Sequence, residues 1–145
     1  MPYKSLEITN ANAVAEQAPK TSQFYKGFSS VDVTNPTSRL YDLELVKQDI
    51  LNQFHTRRGE RVMNPLFGSI IWDVLMEPMT PAIREALNKD ITTICNSDPR
   101  VSAQNIKLTE YPTGYILEAT LVLIGSDQST TMTLSFDQNI GLTVR

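Results

Sequence analysis

From Tyr41 onward the apolar residues follow two different periods, and the switch between them divides the chain. Leu43, Val46, Ile50 and Phe54 recur every three or four residues, with Leu51 widening the stripe. That spacing predicts an amphipathic helix with Asp42 as its N-cap, running to about His55. Residues 69–76 predict a short helical piece of one or two turns, stopped by Pro78. Thr80-Pro81 then opens the clearest helix, since threonine is a good N-cap and proline at the first helical position forfeits no hydrogen bond. Ile83, Leu87, Ile91, Ile94 and Cys95 line one face of it to about Asn96. Asp98-Pro99 ends it, because the residue before a proline is pushed out of the helical region. After Arg100 the period becomes two. Residues 105–111, 114–124 and 129–136 predict three strands joined by Pro112-Thr113-Gly114 and Gly125-Ser126-Asp127-Gln128. Residues 140–144 read either as a fourth strand or as a free tail. The order predicts an α+β domain over residues 41–145, with helices packed on one face of a small antiparallel β-sheet.

Residues 1–40 differ in kind. They are rich in Asn, Ser, Thr, Gln and Ala, carry Pro2, Pro19 and Pro36, and sustain neither period. Such a segment buries too little apolar surface to offset its ordering entropy, which predicts an extended N-terminal arm. Two patches in it stand out: Phe24, Tyr25 and Phe28 crowd aromatics together, and Val31-Asp32-Val33 alternates like a short strand. The aromatics either fold back onto the core or dock the arm on a partner.

Composition narrows the function classes. With 145 residues, 41% hydrophobic and 20% charged, the chain is an ordinary globular domain. A net charge of −3 gives no reason to expect nucleic acid or an anionic membrane as partner. No apolar run is long enough to span a bilayer, and no secretory signal pattern is expected at the N-terminus. The single cysteine, Cys95, forms no internal disulfide and fits a reducing compartment.

Candidate chemistry is sparse. One His and one Cys do not make a metal site, so no metal or cofactor is expected. Cys95 continues an apolar stripe, and His55 closes a helix where a donor near the last carbonyls is favourable. No nucleotide-binding glycine motif occurs. Glu60, Asp73, Glu77 and Asp98 lie near turns and leave a carboxylate-pair hydrolase open as an alternative. Arg57, Arg58 and Arg61 form the one basic cluster, and arginine forks suit carboxylate pairs and protein interfaces. Gly59, just past a helix and among charges, suits a left-handed turn.

Four clusters in order carry a family resemblance: Thr56-Arg57-Arg58-Gly59-Glu60-Arg61, then Pro65-Leu66-Phe67-Gly68, then Glu77-Pro78-Met79-Thr80-Pro81, and after a long helix Asp98-Pro99-Arg100. This sequence resembles the baseplate wedge and sheath-initiator proteins of contractile-tailed phages, which have similar subunits in type VI secretion baseplates and related contractile injection systems. Members are often labelled lysozyme-like. The family's trio is usually Glu-Pro-Arg; Asp98 is one methylene shorter. The resemblance implies a non-catalytic structural subunit in several copies around the tail axis, located in the virion tail baseplate and in the host cytoplasm during assembly. Its implied partners are wedge proteins and the tail sheath, with tail tube or hub proteins as further candidates. It implies a wedge interface at Thr56, Arg57, Gly59, Arg61, Pro65, Phe67, Gly68, Asp98, Pro99 and Arg100. The sheath would meet a strand edge at Thr131, Thr133, Ser135, Ile140, Leu142 and Val144, and the arm would make contacts through Phe24, Tyr25 and Phe28. The alternatives are a peptidoglycan hydrolase using Glu60 or Glu77 with Asp73, and an adaptor in another contractile injection system.

Overall fold

A computed structural model of the chain describes residues 25–29 and 39–144. The strand-like Val31-Asp32-Val33, the aromatic Phe24 and most of the expected arm lie outside the described residues. Within them, Lys26–Phe28 (β1) pairs antiparallel with Arg39–Tyr41 (β2) as a two-stranded ribbon. Three helices follow, Asp42–His55 (α1), Ile71–Val74 (α2) and Pro81–Cys95 (α3). Four strands complete the fold: Val101–Tyr111 (β3), Gly114–Leu123 (β4), Ser129–Asp137 (β5) and Gly141–Val144 (β6). They form one antiparallel meander in the order β3-β4-β5-β6. The α+β architecture is the one the periods predict, and residues 141–144 are a strand.

The helical stripe and the sheet's period-two face meet in one core. Val46, Ile50 and Phe54 of α1 and Leu87, Ile91 and Ile94 of α3 are buried against Leu117, Leu121, Met132, Leu134 and Phe136. Phe136 is the aromatic junction of this core. Its ring meets Phe54 edge-on at 5.8 Å and Trp72 at 5.9 Å, and the Trp72 indole N–H donates to the Phe54 carbonyl at 2.7 Å. The other sheet face carries Gln104, Lys107, Glu118, Thr120, Thr131 and Thr133, as expected for an antiparallel sheet covered on one side.

Two expectations need correction. Asp42 is not the N-cap of α1: Tyr41 holds that place, and Asp42 is the first helical residue, with φ of 43°. Its buried carboxylate accepts the Tyr25 N–H at 2.7 Å while its own N–H donates to the Tyr25 carbonyl at 3.1 Å. Asp42 is therefore spent on clasping the segment at Tyr25. The short helix α2 is a single turn, within the one or two expected. Finally, β3 begins at Val101 instead of 105. A β-bulge conceals its first half, because Asn105 and Ile106 together oppose one residue between the pairs Gln104–Thr120 and Lys107–Glu118. Asn105 takes the left-handed conformation, φ 52°, which asparagine tolerates.

Phe136→Ala should lower unfolding free energy by about 3–5 kcal/mol, as loss of a fully buried aromatic does. Urea denaturation measures this; a loss below about 1 kcal/mol would show that the helices are held to the sheet elsewhere.

Candidate functional site

Residues 56–69 leave the end of α1, turn back and return beside their start. The Ser69 N–H donates to the Thr56 carbonyl at 2.9 Å and the Arg58 N–H to the Ser69 carbonyl at 3.2 Å, so Arg57 and Ser69 meet in a single parallel bridge. Gly68 makes the closure feasible. Its φ is +114°, and a Cβ there would lie 2.7 Å from the Thr56 carbonyl oxygen and 2.8 Å from that of Arg57. Across the loop, the Gly59 N–H donates to the Pro65 carbonyl at 2.9 Å, with Gly59 left-handed as anticipated. The Arg61 guanidinium lies 3.8 Å from the centre of the Phe67 ring, within cation–π range.

A buried carboxylate anchors this loop to α3. Asp90, 3% exposed at its side chain, pairs with Arg58. It also accepts the Ser69 hydroxyl at 3.1 Å and the Ile70 N–H at 3.0 Å. Three donors thus offset the cost of removing that charge from water. Outside, Arg57 Nε donates to Asp73 Oδ1 at 2.6 Å, and the Glu60 carboxylate accepts the Arg57 N–H at 3.0 Å. The framework holds Val62, Met63 and Leu66 out in solvent at 93%, 96% and 79% exposure.

The Asp98-Pro99-Arg100 trio lies on the same side of the molecule. A groove of about 230 Å³ is lined by Asp49, Gln53, Phe67, Ser97, Asp98 and Pro99, which brings the loop's Phe67 and the trio together. Asp98 Oδ1 accepts the Arg100 N–H at 2.9 Å and Arg100 Nε at 2.8 Å, and the two side chains form an ion pair. Arg100 Nη2 also reaches Asp49 Oδ2 at 2.8 Å. The hydrogen bonds from Arg100 hold the Asp98 carboxyl below its ordinary range, outweighing the effect of partial burial. The Arg100 guanidinium lies 5.4 Å from the Tyr25 ring centre, whereas Phe28 on β1 is largely exposed.

At the sheet, the two edges differ. In an antiparallel ladder alternate residues turn their N–H and C=O groups to opposite neighbours. The Leu123 N–H to Gln128 carbonyl bond at 3.0 Å fixes the phase: Ser129, Thr131, Thr133 and Ser135 direct their main-chain groups away from β4. β6 covers Ser135, pairing it with Thr143, and Leu134 pairs with Val144. Among the described residues no strand pairs with Ser129 or Thr131 on that side. By the same alternation, Leu142 and Val144 face outward from β6. The sheath-interface candidates Thr131, Leu142 and Val144 therefore lie along a stepped edge, their outward groups without a strand partner among the described residues. Thr133 is next along β5, and Ile140 is exposed in the turn before β6. Ser135 is the exception: buried, with its hydroxyl on Thr143 and its main chain covered by β6, it offers nothing to a newcomer. Thr130 lies on the helix-facing side opposite Leu121, so the polar residues of β5 do not all line one surface.

The β3 edge is closed by comparison. Its outward Val101 N–H donates to the Asp98 carbonyl at 3.3 Å and its Ala103 N–H to Asn96 Oδ1 at 3.1 Å. The bulge at Asn105–Ile106 interrupts the rest. Capping and bulging are standard ways of blunting an edge.

The acids of the hydrolase alternative are largely engaged. One arginine, Arg57, holds both Asp73 and the carboxylate of Glu60. Asp98 has a depressed pKa, the opposite of what a proton-donating glycosidase acid requires. Glu77 lines a separate groove with Glu110, which is paired with Arg84 at 2.9 Å. Burial pushes the Cys95 thiol up to about 12, an inert packing residue. His55 ends α1 in solvent. Among the described residues, no three His, Cys, Asp or Glu side chains gather as metal ligands.

The model of the family described as baseplate wedge protein gp25 matches residues 41–123, well over half of the chain. The chain belongs to the baseplate wedge protein gp25 family. It is similar to the baseplate wedge protein gp25 of Enterobacteria phage T4, at 32% identity over 72 residues, 49% of this chain and 54% of the relative. It thus spans about half the length of the curated relative it matches. A solved Geobacter sulfurreducens structure, provisionally described as a tail lysozyme, shares the fold with a TM-score of 0.51 and 17% identity, over 63% of this chain and 90% of that one. The matched family region contains the loop, α3, the trio, β3 and β4; β5 and β6 lie beyond it.

Sequence reasoning missed Asp90, Ser69 and Asp49. Asp90 had a readable signal, since it falls between Leu87 and Ile91 within the buried stripe of α3, where an acid implies a buried partner. Ser69 and Asp49 had none, as both act across long sequence separations.

Arg58→Met should destabilise the fold by roughly 2–4 kcal/mol by leaving Asp90 charged and buried, and Gly68→Ala by about 1–3 kcal/mol through backbone strain. Thermal or urea unfolding checks both, and wild-type stability in either would refute that closure. Because the folded-state pKa of Asp98 is lowered, its contribution is complete above its unfolded value near 3.9 and is lost as pH falls below it. Asp98→Asn should therefore be less stable than wild type at pH 7, with the gap narrowing below about pH 4. A pH-independent gap would contradict it.

Proposed function

We propose that this protein is a structural, non-catalytic baseplate wedge subunit of a contractile phage tail, linking the wedge core to the sheath and initiating sheath polymerisation by strand addition. The observation that carries this is the asymmetry of the sheet: the β3 edge is capped at its start and bulged, while among the described residues nothing pairs with the β5–β6 edge. Extended segments of sheath subunits add there by main-chain hydrogen bonds, one along the outer side of β6 at Leu142 and Val144 and another in the line of β6 at Ser129 and Thr131. Each bond contributes about 0.5–1.5 kcal/mol net, so one copy binds weakly. Several copies around the tail axis make the contact multivalent and orient the first sheath disc.

The wedge side is the opposite kind of surface. Phe67 with Asp98 and Pro99 around their groove, flanked by Thr56, Arg57, Gly59, Arg61, Pro65, Gly68 and Arg100, offers fixed side chains to wedge proteins. Phe24, Tyr25 and Phe28 add an arm contact, and tube or hub proteins are further neighbours. The protein resides in the virion tail baseplate and is assembled in the host cytoplasm. The engagement of Asp73 and Glu60 by Arg57 favours this over cell-wall hydrolysis.

Proline at Thr131 and Val144 tests the function, because both N–H groups face outward and the internal ladder is spared. The double variant should fold and enter baseplates yet nucleate sheath far more slowly in electron micrographs of assembly reactions. Nucleation at the wild-type rate would overturn strand addition.

A further inference from the structure

We propose that the tip of the closed loop, Val62, Met63 and Leu66, is an apolar plug that enters a cleft on a wedge protein. That cleft is lined by aliphatic or aromatic side chains and carries a carboxylate at its rim to meet Arg61. This rests on the wedge-linking function above and names the anchor and the chemistry of the surface that receives it. Two successive turns shape the tip. The Asn64 N–H donates to the Arg61 carbonyl at 3.2 Å and the Phe67 N–H to the Asn64 carbonyl at 3.1 Å. Val62 and Met63 therefore occupy the corners of the first turn, and Pro65 and Leu66 those of the second. Such corners ordinarily carry Gly, Pro, Asn, Asp or Ser. Here three large apolar residues stand at them, away from the chain's own core, and all three are exposed. One exposed apolar residue needs no explanation, but three together on one tip mark a contact.

The tip is also preformed. The Gly59–Pro65 hydrogen bond crosses its base, Gly68 closes that base against Thr56, and the Arg58–Asp90 pair ties it to α3. A fixed convex tip loses little conformational freedom on docking, which suits insertion into a cleft. Charge defines the rim. Arg57 pairs with Asp73 and Arg58 with Asp90, whereas Arg61 rests on the Phe67 ring and has no ion-pair partner among the described residues. Docking the tip takes that guanidinium partly out of water, so a carboxylate on the partner is the group that offsets the loss. Phe67 also lines the groove with Asp98 and Pro99, which joins the tip to the rest of the wedge surface. A lipid surface fits less well, since a net charge of −3 offers no attraction to anionic headgroups.

The test measures binding of the purified wedge proteins of the same tail to the full chain, comparing wild type, Val62→Ser/Met63→Ser/Leu66→Ser, and Arg61→Gln. The triple variant changes only exposed side chains and should keep its thermal midpoint. Its affinity should fall roughly tenfold to a hundredfold, equally at about 0.05 M and about 0.5 M salt. Arg61→Gln should weaken binding about three- to tenfold at the lower salt and much less at the higher. Wild-type affinity of Arg61→Gln at low salt would overturn the rim carboxylate. Wild-type affinity in the triple variant would overturn the plug and leave the wedge link standing, whereas a wild-type chain that binds no wedge protein would overturn both. A triple variant that keeps wedge binding but loses flotation with phosphatidylglycerol vesicles, or loses self-association in sedimentation, would reassign the tip to a membrane or to a second copy and equally overturn the plug.

Discussion

An antiparallel sheet that does not close on itself ends in two strands whose outward N–H and C=O groups lack a ladder partner, and the rest of this molecule is arranged around that constraint. One end is capped at its start from within. The turn after α3 supplies the Asp98 carbonyl and the Asn96 side chain to β3, and a bulge disrupts the remainder. The other end is stepped, because β6 is four residues long against the nine of β5. Asp137 pins that step by accepting the Thr113 hydroxyl at 2.7 Å and the Asn139 N–H at 2.8 Å, which fixes the turn into β6. The short final strand is thus held in register, and among the described residues no strand covers its outer side.

The helical layer keeps that edge rigid and separates it from the other surface. Phe136, within β5, is gripped by Phe54 and Trp72, so the strand with the open edge is also a strand at the centre of the core. Trp72 follows the closed loop, whose position depends on the carboxylate of Asp90 in α3. The loop and the Asp98-Pro99-Arg100 trio share a groove through Phe67. A subunit built this way can present fixed side chains to one neighbour and bare backbone to another. The chain belongs to the baseplate wedge protein gp25 family, and the proposed contact role rests on these two surfaces.

Much of this was legible in the sequence, for physical reasons that differ by element. The stripe of α1 and the Thr80-Pro81 start of α3 depend on neighbours within a turn or two, and both appear as expected. Thr131, Leu142 and Val144, candidates that the resemblance implied, all have outward main-chain groups, because hydrogen-bonding direction alternates along a strand with a period of two. Which edge is free was not legible, since it depends on Asn96 reaching Ala103 and on where β6 stops. Asp42 looked like a cap because the sequence does not reveal that its carboxylate is used by Tyr25, far back along the chain. Ser135 looked like its threonine neighbours until β6 covered it. Asp90 left a trace as an acid within the buried stripe of α3, but its partners, lying 20 or more residues away, did not.

Cryo-electron microscopy of the sheathed baseplate, at a resolution that traces main chain, tests the central claim most directly. Continuous density for strands of sheath subunits, hydrogen-bonded to Leu142 and Val144 outside β6 or to Thr131 and Ser129 in the line of β6, is the predicted result. A sheath that contacts this subunit only through side chains, or a β5–β6 edge facing solvent in the assembled tail, would contradict it.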